Sequence, residues 1–255
     1  MTEELSPVDH VKYFLEKQAR RDTLRFIACG SVNDGKSTLI GRMLFETQLI
    51  SEDQVESSQK DSKKSRTQDD EFDFSVLVDG LVSEREQGLT LDVAYRFFAT
   101  ERRRFIVADT PGHQKYTRNM VTGASTADIA VILIDASQGI LTQTRRHSMI
   151  CSMLGIKNVV VAINKMDLID YREEVFDRAL SDFQSFASAL RFDQVIAIPM
   201  SALKGDNIIA RSSCMQWYDG PTLLGFLETV DIRAARNNDP LRFPIQWVNH
   251  PNSDF

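Results

Sequence analysis

The stretch GSVNDGKST, Gly30 to Thr38, limits what this chain can fold into more than any other feature. It matches GxxxxGKS, follows the apolar run LRFIAC and precedes the amphipathic run LIGRMLF, so the local order is strand, loop, helix. A loop feeding a helix start presents unpaired backbone N–H groups with the positive end of the helix dipole behind them, which suits a phosphate. In the usual roles of this motif, Gly30, Ser31, Val32, Asn33, Asp34, Gly35, Lys36, Ser37 and Thr38 surround the phosphates. Lys36 reaches the β- and γ-phosphates, and the Ser37 hydroxyl is a Mg²⁺ ligand. A bare match also occurs as a Gly-bounded turn, and it is the strand before and the helix after that favour the nucleotide.

Around this loop the chain alternates in a regular way. Leu24 to Cys29 reads as the first strand, and a helix follows the loop to about Phe45. LDVAYRFFAT and RRFIVAD read as two strands joined by the charged ATERRR. IAVILID (129–135), NVVVAIN (158–164) and QVIAIPM (194–200) are short, nearly continuous apolar runs with helical patterns between them, as in strands buried on both faces. The fold expected is α/β: a P-loop domain with a mostly parallel sheet sandwiched by helices. With 255 residues, 42% of them hydrophobic, one large domain plus a piece of another can be built.

The boundaries follow from composition. Residues 1–22 hold an N-terminal helix over 7–20, begun by Ser6 and Pro7, with Val8, Val11, Phe14 and Leu15 at helical spacing. Residues 23–235 form the nucleotide-binding domain. Within it Ser51 to Asp73 is polar, densely charged and without an apolar period, too poor in apolar surface to order by itself. FSVLVDGLVSEREQG then predicts a short helix ending near Gly88, and a last helix spans roughly Thr222 to Thr229. The linker RAARNNDP (233–240) runs into 236–255, where Leu241, Phe243, Ile245 and Trp247 alternate as one face of the first strand of a truncated β-barrel domain.

A net charge of -6 argues against a surface built to neutralise a nucleic-acid backbone or anionic lipid. Cys29, Cys151 and Cys214 have no metal-type spacing and read as reduced packing residues. The first ten residues are acidic without an apolar core, and no run reaches the length of a membrane span, so a cytoplasmic protein is expected.

Four further stretches say which nucleotide and which chemistry. DTPGH, Asp109, Thr110, Pro111, Gly112 and His113, stands at a strand's carboxyl end, where ligands of open α/β sheets gather. Asp109 there can hold Mg²⁺ through water, and the Gly112 N–H can meet a γ-phosphate. NKMD, Asn164, Lys165, Met166 and Asp167, ends another strand. A carboxylate at Asp167 accepts from both the N1–H and the 2-amino group of guanine, a donor pair adenine lacks. SALK supplies Ser201, Ala202 and Leu203, with the Ala202 N–H expected on guanine O6. Thr90, in EREQGLTLD, can complete the Mg²⁺ shell through its hydroxyl while its carbonyl meets the attacking water. Each stretch alone has a plain structural reading, as a turn, a helix cap or a strand start, and their order gives them weight.

Five elements in this order resemble the GTPases of the translation-factor class. That resemblance implies GTP and Mg²⁺ as cofactors and gives His113, directly after DTPG, the role of orienting the attacking water. The connecting residues resemble one branch more closely. VDGLVSEREQGLTLDVAYRFFATERRRFIVADTPGHQKYTRNMVTGASTADIAVILIDASQGILTQTRRHSMI, SALKGDNI, MQWYDGPTLL and PLRFPIQWVNHPNSDF are similar to the large, GTP-binding subunits of heterodimeric bacterial sulfate adenylyltransferases. The resemblance covers Thr23 to Phe255. It implies that GTP hydrolysis drives ATP and sulfate to adenosine 5′-phosphosulfate and pyrophosphate, in a complex with a small subunit that carries the adenylyl-transfer site. Asn33 and Leu89 depart from that family's commoner aspartate and isoleucine, the first at a possible monovalent-cation site. The alternative is a translation factor carrying aminoacyl-tRNA, which shares all five motifs. Against it stand the acidic balance and the detail around LTQTRRHS and WYDGPTLL.

Overall fold

A computed structural model describes residues 21–47, 74–78, 90 and 92–232. Six strands, β1 (Asp22–Cys29), β2 (Ala94–Ala99), β3 (Arg103–Asp109), β4 (Ile129–Asp135), β5 (Asn158–Asn164) and β6 (Gln194–Pro199), form one sheet in the order β2-β3-β1-β4-β5-β6. All neighbours pair in parallel except β2, which runs antiparallel to β3 at the edge. The mostly parallel sheet expected from the apolar runs is therefore present, and the boundaries of β4 and β5 are those read from sequence.

The strands look apolar throughout because each face is covered. In β4, Ile129, Val131 and Leu133 point into one core while Ala130, Ile132 and Ile134 point into the other. Every residue of β4 is buried. On the first face lie α1 (Lys36–Glu46), through Leu39, Ile40, Met43 and Leu44, and α5 (Leu223–Thr229), through Leu223, Leu224, Phe226 and Leu227. The second face holds α2 (Thr117–Ala124) through Met120, α3 (Thr142–Met153) through Cys151, and α4 (Glu173–Ala187) through Phe176, Ala179 and Phe183. Burying a side chain of the Val, Leu, Ile or Phe type contributes about 1.5–3 kcal/mol.

Polar side chains fasten the outer pieces. Arg103 is buried, and its Nη1 donates to the carbonyls of Leu227 (2.8 Å) and Val230 (2.9 Å), so β3 holds the end of α5. Thr222 caps the start of that helix, its Oγ1 accepting from Gly225 N–H at 3.2 Å. The helix read from FSVLV onward is, over Phe74–Leu77, a 3₁₀ turn instead. There the Phe74 ring packs on Phe45 at 5.5 Å and Arg96 donates to the Val78 carbonyl, while Leu81 and Val82, the i+4 partners of Leu77 and Val78, lie outside the described residues. Cys29 and Cys151 are buried and free, whereas Cys214 is free but exposed. The N-terminal helix, the charged Ser51–Asp73 stretch, the expected helix end at Gly88, Leu89, and the strand over 241–247 lie outside the described residues. Among the described residues no helix is long and apolar enough to cross a membrane.

Candidate functional site

Five parallel strands deliver their carboxyl ends to the same side of the sheet, and each end carries a polar loop. β1 leads to Gly30, β3 ends in Asp109, β4 in Asp135, β5 in Asn164, and β6 leads to Ser201. Register brings them abreast, with Ala28 opposite Asp109 and Asp135 opposite Asn164. The phosphate loop, DTPGH, NKMD and SAL stretches are thus neighbours in space, as their order implied.

The phosphate loop is held from several directions. Gly35 begins α1 in the left-handed region (φ 91°), and a Cβ there would collide with the Asn164 amide. Asn33 is also left-handed (φ 66°), a conformation asparagine tolerates, and is exposed. The Asp34 carboxylate accepts from Ser31 N–H at 2.5 Å. Burial pushes the Asp34 carboxyl up to about 6, with Lys36 partly offsetting it. Lys36 is buried and donates to the Ser31 carbonyl at 2.6 Å; burial lowers its ammonium pKa against the pull of Asp34 and Asp109. Gly112 packs directly on this lysine, since a Cβ at Gly112 would stand 2.6 Å from Lys36 Nζ and 2.7 Å from the Ser31 carbonyl carbon. Val32 and Thr38 are half-buried.

Ser37 joins three separate segments. Its hydroxyl donates to Asp109 Oδ2 at 3.1 Å and lies 3.4 Å from the Thr90 hydroxyl. Two hydroxyls and a carboxylate are hard oxygen donors, the set a Mg²⁺ ion takes. The sequence assigned these three residues to the metal, and the fold brings them together. Thr110 serves the scaffold, donating to the Ala28 carbonyl at 2.7 Å, and Pro111 is buried beside it. His113 is exposed and caps a 3₁₀ turn, Gln114–Tyr116, its Nδ1 accepting from Lys115 N–H at 3.1 Å. An accepting Nδ1 places the proton of the neutral ring on Nε2.

On the base side, Asp167 sits in a 3₁₀ turn, Met166–Ile169, entered through left-handed Lys165 (φ 63°). Its Oδ1 is buried and has no hydrogen-bond partner among the described residues. A buried carboxylate oxygen left unpaired is costly, and a donor pair such as the guanine N1–H and 2-amino group would satisfy it. Lys165 turns instead to Asp135, with Nζ 2.8 Å from Oδ2. Burial would raise the Asp135 carboxyl, but bonds from Lys165 and Ser137 outweigh it and hold the group below its ordinary range. Asn164 links the two halves of the site: Nδ2 donates to the Asp34 carbonyl and Oδ1 accepts from Ala202 N–H, both at 2.8 Å. The Ala202 N–H, expected on a guanine O6, is therefore committed to Asn164, because a buried amide takes the nearest acceptor. Met166 and Ser201 are buried; Met166 N–H bonds the Met200 carbonyl at 3.1 Å, and Ser201 Oγ accepts from Lys204 N–H at 3.1 Å.

Sequence reasoning missed His147, which lies beneath the loop on α3. Its Nδ1 accepts from Gly30 N–H at 3.2 Å, and Thr144 Oγ1 lies 3.4 Å from Ser31 Oγ. Burial first, then the charges of Lys36 and Arg146, push the His147 imidazole down to about 4, so it is neutral and accepting. Thr144, His147 and Ser148 recur at i, i+3 and i+4, the spacing of one helix face, and that was the available signal; all three are buried. Arg42 and Asp135 were likewise overlooked.

The model of the elongation factor Tu GTP binding domain family matches residues 21–232. Along 246 residues the chain is 59% identical to sulfate adenylyltransferase subunit 1 of Salmonella typhimurium, covering 96% of this chain and 51% of that protein. It is 56% identical over 255 residues to the bifunctional enzyme NodQ of a Rhizobium species, covering 100% of this chain and 40% of that one. The chain thus spans about half or less of the length of these relatives. Among solved structures, the GTPase-like domain of S. cerevisiae Ski7 bound to GTP superposes with a TM-score of 0.72 at 23% identity, covering 90% of this chain and 53% of that one. Sup35 complexed with GMPPNP gives 0.60 at 26%, covering 90% and 50%.

Proposed function

The chain belongs to the elongation factor Tu GTP binding domain family, and from that premise we propose that it is the GTPase part of a sulfate adenylyltransferase large subunit. In this reading it binds GTP and, in the cytoplasm, couples hydrolysis to the formation of adenosine 5′-phosphosulfate and pyrophosphate from ATP and sulfate. The observation that carries the choice within the family is the likeness to sulfate adenylyltransferase subunit 1 along nearly the whole chain. The solved structures of Ski7 and Sup35 share the fold at much lower identity.

The residues divide the work by charge and position. Lys36 and the loop Gly30–Thr38 hold the phosphates. Asp167 accepts the guanine donor pair. Ser37, Thr90 and Asp109 would hold Mg²⁺, which would neutralise charge on the phosphates. His113 donates from Nε2 to the attacking water and fixes its direction, since its Nδ1 is engaged by Lys115 N–H. Thr90 belongs to both the metal set and the segment before β2, so its position can report whether the γ-phosphate is present.

The adenylyl transfer itself belongs to a smaller partner subunit. Co-expression with an adenylyl-transferring small subunit tests the reading. The two chains should co-purify, and adenosine 5′-phosphosulfate formation should rise on adding GTP. GTPase activity stimulated by ribosomes, with no GTP effect on sulfate activation, would favour an aminoacyl-tRNA carrier instead.

A further inference from the structure

Arg42 stands on α1, six residues after Lys36, on a helix face that by sequence alone would be solvated. Its side chain is only 15% exposed. Nε donates to the Ala202 carbonyl at 3.3 Å and Nη2 to the Leu203 carbonyl. Nη1 lies 3.4 Å from Glu46 Oε1, and the guanidinium stacks 4.2 Å above the Phe74 ring. One planar fork therefore grips two successive carbonyls while resting on an aromatic platform, an arrangement a lysine cannot reproduce.

The rest of this loop is fixed just as fully. Ser201 O accepts from Gly205 N–H at 2.9 Å, Ala202 N–H donates to Asn164 Oδ1 at 2.8 Å, and Lys204 N–H donates to Ser201 Oγ at 3.1 Å. A trans peptide is planar, with its carbonyl and N–H pointing to opposite sides. Holding Ala202 O toward α1 turns the N–H of the same peptide, that of Leu203, away from α1. Asn164 already occupies the Ala202 N–H.

We propose that Arg42 is a positioning residue for base recognition: it braces the Ser201–Leu203 loop from behind so that the Leu203 N–H meets the 6-oxygen of guanine. The proposal rests on the GTP-binding reading. It divides the base into two independently read edges, the 6-oxygen by a loop braced from α1 and the N1–H with the 2-amino group by Asp167. The same guanidinium contacts Phe74, upstream of Thr90, so the brace also joins the base loop to the chain that leads to the phosphates.

The test compares three nucleotides on the intact chain: GDP, 6-thio-GDP, which weakens only the 6-position acceptor, and inosine diphosphate, which lacks the 2-amino group. Arg42→Ala should lower GDP affinity about tenfold. It should shrink the preference for GDP over 6-thio-GDP about threefold or more, and leave the preference for GDP over inosine diphosphate, read through Asp167, unchanged. Arg42→Lys keeps a charge near Phe74 but loses the fork, and should fall between the two; it also serves if Arg42→Ala fails to fold. If both preferences persist in Arg42→Ala and Arg42→Lys, or both shrink together, Arg42 does not position the 6-oxygen contact. A wild-type chain indifferent to guanine against adenine would overturn the nucleotide reading itself, and the proposal with it.

Discussion

At the residue scale, binding and hydrolysis should separate. In its proposed role Lys36 meets phosphate charge in the ground state, so Lys36→Ala should damage GTP affinity. His113 is exposed and its Nδ1 is engaged within its own turn, so His113→Ala should retain affinity and lose about a hundredfold or more in turnover, read by single-turnover hydrolysis. Affinity lost with turnover intact would contradict the water-orienting role. His147 gives a pH signature. With its folded pKa pushed down to about 4 from 6.5, the native state binds fewer protons than the unfolded chain in that window. Its contribution is complete above pH 6.5 and lost as pH falls through about 4, an effect of roughly 3 kcal/mol at most. Asp34, raised to about 6, works in the opposite sense: its buried carboxylate costs stability above pH 6, and the cost fades as pH falls. His147→Asn should therefore flatten the acid side of urea-unfolding stability, leaving the Asp34 slope. An unchanged profile would remove His147 from that role. The residues assigned to the nucleotide by motif were legible because each role needs a fixed chemistry at a fixed spacing. His147 and Arg42 were not, because they act on backbone groups brought near only by the sheet.

At the scale of elements, strands β4 and β5 could be read to the residue, since burial on both faces writes a continuous apolar run bounded by polar ends. The Phe74–Leu77 turn could not, because its form depends on Phe45, Arg42 and Arg96, all distant in sequence. Arg103 shows the same dependence. By sequence it stands where the charged ATERRR runs into the strand RRFIVAD, yet its guanidinium is buried and holds two carbonyls at the end of α5. Arg103→Met should leave those carbonyls unpaired and cost about 2–4 kcal/mol, measured by chemical denaturation. A loss below about half a kcal/mol would mean that α5 is held by its apolar face alone.

At the scale of the whole molecule, the central claim is that a guanine-selecting carboxylate in this chain governs sulfate activation elsewhere in a two-subunit enzyme. The fold was legible because phosphate loop, strand ends and base-reading turns must converge at the carboxyl edge of a parallel sheet. The link to sulfate was carried by connecting residues such as LTQTRRHS and WYDGPTLL, whose physical purpose spacing alone does not disclose. Asp167 offers a way to test that link directly, because Asp167→Asn exchanges an acceptor for a donor and should move base preference from guanine to xanthine, whose 2-oxo group accepts. The decisive measurement is adenosine 5′-phosphosulfate formation by the assembled two-subunit enzyme, wild type and Asp167→Asn, each supplied with GTP or xanthosine triphosphate. Wild type should respond to GTP alone, and the variant to xanthosine triphosphate alone. Undiminished stimulation of the variant by GTP, or sulfate activation indifferent to either nucleotide in the wild type, would contradict the claim.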